Sequence, residues 1–275
     1  MNFRKCNPLY GYRWISEGIK LFLRQPWGWL ALVGMTLLIQ FILLTLPLLG
    51  LLIVFTLFPG IAAGFMLLAR ELAAGKPARF SLLIAPLREK SAPLLVVGGF
   101  AFVTAFAALI LLTVGWREEF AQLVTLAQGS TPDVEAMEKA IAELTLPTLA
   151  MAGLMLPVMM ATWFAPALIA FRPITGKAAL AASFKATLGN FWPFVVYSAL
   201  LIGLDVVVSF GVGLLVRTLH AAGGENAARF VAMLLSFPVF CAFVSILLAS
   251  AYVSYGDVFE AESKATNAEG VETTA

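Results

Sequence analysis

Apolar residues along this chain fall in long unbroken runs, not in the alternation of half-buried strands or the one-sided stripes of soluble helices. Six runs are long enough to cross a hydrocarbon layer of about 30 Å at 1.5 Å per residue. They are residues 27–46, 48–69, 93–116, 146–171, 191–216 and 230–255, and only the fifth holds a charge, Asp205. In lipid, backbone N–H and C=O groups must be paired within their own segment, so such runs form helices. The predicted fold is all-α: a polytopic membrane helix bundle of about six transmembrane helices, one domain over residues 1–255. Only the Pro47 to Gly50 region separates the first two runs, which predicts a tight antiparallel hairpin.

The polar remainder is divided unevenly. Five Lys/Arg precede the first run, five lie in 70–92, three in 172–190 and one in the tail, against Arg117, Lys139, Arg217 and Arg229 on the other side. Cationic segments resist translocation, so a 14 to 4 division predicts both termini in the cytoplasm. Residues 117–145 then form an acidic extracytoplasmic loop. Gly129 to Asp133 reads as a turn, with Thr131 as N-cap and Pro132 first in a helix. Val134, Met137, Ile141 and Leu144 recur at helical spacing, which predicts a short amphipathic hairpin lying on the outer face. Residues 256–275 are acidic and small, the composition of a disordered cytoplasmic tail.

Ahead of the first run, Arg13, Glu17, Lys20 and Arg24 form one charged stripe, with Trp14, Ile15, Gly18, Ile19, Leu21 and Phe22 as the apolar remainder. A helix of this kind lies in the membrane interface, so Arg13, Lys20 and Arg24 are expected to contact lipid headgroups. Trp14, Trp27 and Trp29 read as interfacial belt residues. The arrangement recurs: Ser81 to Lys90 leads to Pro93, and Ser183 to Lys185 leads to Trp192-Pro193. Pro59, Pro157 and Pro238 then mark the second run of each pair. Three diverged copies of one hairpin unit are expected, a feature of many transporters and of plain structural duplication.

The run Gly11-Tyr12-Arg13-Trp14-Ile15-Ser16-Glu17-Gly18-Ile19-Lys20-Leu21-Phe22, with Pro26 and Trp29, resembles the start of a family of uncharacterised proteobacterial inner-membrane proteins. Gly64, Ala69-Arg70-Glu71-Leu72 and Gly75-Lys76-Pro77 match the end of that family's first hairpin. The resemblance implies an inner-membrane protein and carries no cofactor or catalytic residue onto any position.

Composition agrees with the pattern. The 275 residues are 61% hydrophobic and 12% charged, with mean hydropathy +0.92, too few charges to solvate a soluble exterior. No loop combines a dense basic patch with aromatics, which argues against nucleic-acid binding. Cys6 and Cys241 lack metal spacing and are expected as free thiols. Residues 1–26 hold five cations and no continuous apolar core, so no secretory signal is read there.

Candidate chemistry is sparse. An ionised Asp205 at mid-bilayer costs on the order of 2.5–3.5 kcal/mol, which makes it a functional candidate by default. Gln40, Tyr197 and Ser209 are its expected polar neighbours, and no Lys, Arg or His lies within a run to pair with it. The alternatives are a protonated Asp205 bonded to a neighbouring helix, or a span shifted so that Asp205 sits nearer the interface. His220 stands alone on a predicted loop, which is no metal site. Gly60 and Gly64 form the spacing that lets helix backbones approach closely. Phosphate loops, zinc-protease motifs and serine elbows are absent from the sequence. The expected function is a non-enzymatic membrane protein organising lipid or a partner, with membrane lipids, a second copy or another membrane protein as its partners. The alternatives are a small transporter or channel subunit using Asp205 and, more weakly, an enzyme acting on lipid.

Overall fold

Basic segments alternating with apolar runs fold as short helices alternating with long ones. The computed structural model describes residues 1–46, 48–128, 134–222 and 224–260. The first repeat of short and long is α1 (Tyr10–Arg24), α2 (Pro26–Leu44) and α3 (Leu49–Ala73). Next come α4 (Ser81–Glu89), α5 (Ser91–Gly115), α6 (Arg117–Gln128), α7 (Val134–Trp163) and α8 (Ala165–Phe171). Then follow α9 (Gly176–Gly189), α10 (Phe191–Ala221), α11 (Glu225–Tyr255) and one π-helical turn, Gly256–Glu260. Six of these, counting α7 and α8 as one run, are long and apolar enough to cross a membrane, and no strand occurs among the described residues. The fold is an all-α polytopic bundle.

Local chemistry sets the joints. Gln25 leaves the helical region and Pro26 opens α2, where its missing N–H is no loss. Gly75, at φ +77°, ends α3: its N–H bonds Leu72 O at 3.0 Å and Lys76 N–H bonds Glu71 O at 3.0 Å, a complete Schellman cap. Between α7 and α8 the helix breaks at Phe164. There Ser183 Oγ, from α9, accepts from Phe164 N–H at 2.9 Å and donates to Met160 C=O at 2.8 Å. One buried hydroxyl therefore replaces the helix bond that Met160 and Phe164 would have made.

The short helices tie the long ones together. α4 packs on α3, α9 on α7, and α1 on α11, so the first short helix closes on the last long one. Asn190 fastens this closure: its Oδ1 accepts from Cys6 N–H at 2.7 Å and its Nδ2 donates to Arg4 C=O at 3.0 Å. Arg4 N–H donates to Val258 C=O at 2.8 Å, so both described ends of the chain meet at one end of the bundle, here called the terminal end. Burial concentrates there, in Trp14, Ala63, Met66, Leu94, Val97, Phe164 to Ile169, Tyr197 and Tyr255. Towards the opposite end Phe41, Val103, Leu149, Val207 and Phe210 are exposed.

Several expectations change. α7 runs unbroken from Val134 into the fourth span, so the helical stretch at 134–145 is a rigid extension and not a separate surface helix. No glycine intervenes between Val134 and Pro147, and nothing in that sequence stops a helix. The expected turn at 129–133 lies outside the described residues. The tail boundary at 256 moves to 260, because Asp257, Val258 and Phe259 are buried in the π turn. Trp14 and Trp29 are fully buried core residues and not belt residues, whereas Trp27 is 82% exposed.

Candidate functional site

At the terminal end, α1 carries a row of charges on one face and Trp14 on the other. Trp14 Nε1–H donates to Asp257 Oδ2 at 3.2 Å, and Arg13 Nη2 stands 3.3 Å from Asp257 Oδ1. Arg13 also covers the Tyr10 ring. Arg24 donates to Ala73 C=O at 2.8 Å, closing the end of α3, and Lys20 pairs with Glu17 at 2.6 Å. The three cations expected at headgroups thus have intramolecular partners, though Arg13 and Lys20 keep more than half of their side-chain surface exposed. Beside them, Cys6 is a free thiol pushed up to about 11, first by burial and then by the Asp257 carboxylate. Cys241 is a second, buried free thiol. Two further cations step round the ring of helices: Arg70 lies over Phe171, and Arg172 over Phe259 while donating to Phe259 C=O at 2.8 Å.

Deeper in, two apolar cavities flank α7, and both touch Met159 and Trp163. The larger, about 450 Å³, is central and lies between α3, α5, α7, α8 and α11. Phe55, Phe58, Met66, Val97, Met155 and Leu247 are among its walls, and its hydroxyls come from Thr104 and Thr162. Both hydroxyls are engaged by their own helices: Thr104 donates to Phe100 C=O at 2.8 Å and Thr162 to Val158 C=O at 2.9 Å. The wall therefore offers dispersion and no free hydrogen bond. The second cavity, about 440 Å³, is a groove between α7 and α10, lined by Leu156, Met160, Phe194, Val195 and Ile202.

The polar candidates from the sequence are not brought together. Asp205 is exposed on α10, outside both cavities, and no hydrogen bond or ion pair reaches it among the described residues. Gln40 lies on α2 in a separate small cavity of about 140 Å³ beside Thr36 and Phe80. Tyr197 is buried and shares a 2.6 Å hydrogen bond with Ser250 of α11. Ser209 alone shares the face of Asp205. Gly60 and Gly64 sit under α4, where an added Cβ would overlap Leu87 and the Leu83 backbone respectively. His220 is exposed and ends α10. Among the described residues no group of three His, Cys, Asp or Glu could hold a metal. The sequence reading missed Asp257 and Asn190, which stand next to apolar spans and give no periodic signal. It also missed Ser183 as the residue that bridges a broken helix.

A curated protein of Burkholderia thailandensis named "Probable inner membrane protein" is 29% identical over 253 residues, covering 90% of this chain and 90% of its own length. The chain resembles an inner-membrane protein almost from end to end. No family model matches it, and no solved structure does. The aligned length takes in the spans and the short helices between them together. The similarity and the six apolar helices agree on a multi-span membrane protein.

Proposed function

We propose that this chain is a non-enzymatic inner-membrane protein that organises lipid, holding acyl chain in the central cavity beside Trp163. The observation that carries the reading is the cavity itself, about 450 Å³ of apolar wall inside a bundle of spans. A hydrated solute would lose its water there and gain no hydrogen bond, whereas an acyl chain loses nothing. Asp205, outside the cavity, gives no support to a pathway for ions. The terminal end faces the cytoplasm in this reading, because it carries the cationic segments, and anionic headgroups would gather at Arg13, Lys20 and their neighbours. The three sets of short helix plus hairpin form a repeated unit: α4, α9 and α1 each dock on the second long helix of the preceding set, taken cyclically.

The test is native mass spectrometry of the full chain released from membranes in mild detergent. Wild type is expected to keep bound phospholipid, and Ala105→Phe, which fills the cavity, to lose it while keeping its melting temperature. A wild type that emerges lipid-free, or a filled variant that retains as much lipid, would overturn the reading.

A further inference from the structure

The helix with the weakest support inside the bundle is α10, the least buried of the six spans. Its terminal third is anchored through Pro193, Tyr197 and Leu201, and beyond Leu201 nearly every residue is exposed or half-exposed. Along one line of that helix lie Ser198, Ile202, Asp205 and Ser209, spaced four, three and four residues apart and all exposed. Ser198 and Ile202 line the groove towards α7, so Asp205 and Ser209 continue the same seam beyond it.

Two comparable seams in the bundle are closed. α3 packs on α5, where Gly98 is so close that a Cβ would overlap the backbone of Thr56. α11 packs on α2, where a Cβ on Gly34 would lie 3.5 Å from Cys241 Sγ and 3.6 Å from Phe237. Between α7 and α10 contact is marginal. Gly98 lies five residues past Pro93 and Thr56 three before Pro59. The corresponding positions past Pro193 and before Pro157 are Ser198 and Leu154, both larger and both exposed.

Asp205 lies about 21 Å beyond Phe191 along the helix axis, well inside a layer about 30 Å thick. Acyl chains filling the seam would leave its carboxyl without a hydrogen bond, so the occupant must supply a polar group at that depth. The apolar runs 27–46, 48–69, 93–116, 146–171, 191–216 and 230–255 hold no Lys, Arg or His. A neutral carboxyl, however, donates through its O–H and accepts through its C=O, and is complementary to itself. We propose that a second copy of this chain fills the seam, α10 against α10 about a two-fold axis along the membrane normal. In this isologous contact Asp205 pairs with its counterpart, and Ser209 follows one turn on.

The experiment is oxidative crosslinking of the full chain in native membranes, in a background carrying Cys6→Ser and Cys241→Ala. Ser209→Cys, on the seam, is expected to yield a disulfide-linked species of twice 29.5 kDa. Val207→Cys, also exposed but round the helix, is expected to stay monomeric. Adding Asp205→Leu should lower the Ser209→Cys dimer by about tenfold, while Asp205→Asn, whose amide is also self-complementary, should retain it. Monomer at both cysteines, equal linking at both, a Ser209→Cys adduct with a different protein, or dimer undiminished by Asp205→Leu would each overturn the proposal.

Discussion

Two tryptophans show how much a single hydrogen-bond partner matters in an apolar setting. Trp14 and Trp29 are both fully buried, but Trp14 donates to Asp257 whereas the Trp29 indole N–H has no acceptor among the described residues and its ring stacks on Phe65 at 6.0 Å. Replacing either with Phe removes the same volume, so the difference between the two reports the bond. Trp14→Phe is expected to cost about 1 kcal/mol more than Trp29→Phe in thermal unfolding followed in detergent. Asp257→Ala should be worse than Asp257→Asn, because the amide oxygen still accepts from Trp14. The Cys6 thiol makes a second residue-level expectation. Burial raises its pKa from 9.0 to about 11, which lowers the thiolate fraction near pH 8, and only thiolate reacts. Maleimide should label Cys6 roughly a hundredfold more slowly than an ordinary thiol at that pH, and the deficit should shrink as pH approaches 11. Labelling as fast as for a free thiol would contradict the burial. The sequence revealed Trp14, Arg13 and Arg24 as marked positions, but it put Trp14 in an interfacial belt and named none of their partners within the chain. Asp257 lies 243 residues from Trp14, and helical periodicity carries no information across such distances.

At the scale of elements, the long helices were legible because lipid imposes length and apolarity on each span independently of its neighbours. Their ends were less so. α7 absorbed a segment whose own amphipathic pattern suggested a surface helix, since nothing between Val134 and Pro147 stops the backbone. The break at Phe164 was illegible for the opposite reason, because its cause is Ser183 on another helix. Ser183→Ala is expected to lower stability by about 1–3 kcal/mol, leaving the Phe164 N–H unpaired while Met160 C=O keeps the Thr187 hydroxyl at 3.0 Å. An unchanged melting temperature would show that the joint holds without the hydroxyl. The Gly60 and Gly64 pair exposes a similar gap: spacing identified a close approach, and the fold identifies α4 as what approaches. Gly64→Ala should force α4 away and cost about 1–3 kcal/mol by overpacking. Gly203→Ala, on open surface, should be neutral in the same assay.

For the whole molecule, the pattern of cations is the one global property that can be read before any contact is known, because the rule acts on segments as they are inserted. Single cysteines at Lys76 and Gln122 should be labelled by an impermeant reagent from opposite sides, Gln122→Cys from outside intact cells; the reverse would invert the bundle. The cavities could not be read in this way, since an absent contact leaves no trace in composition. The clasp between the two described ends has a further bearing on how the protein is made. Arg13 and Trp14 leave the ribosome long before Asp257, so the first helix must wait for that partner until all six crossings have been made. The clasp is therefore closed by a segment that follows the last crossing: a product that stops at Tyr255 would hold all six crossings and still lack the carboxylate that Trp14 and Arg13 share.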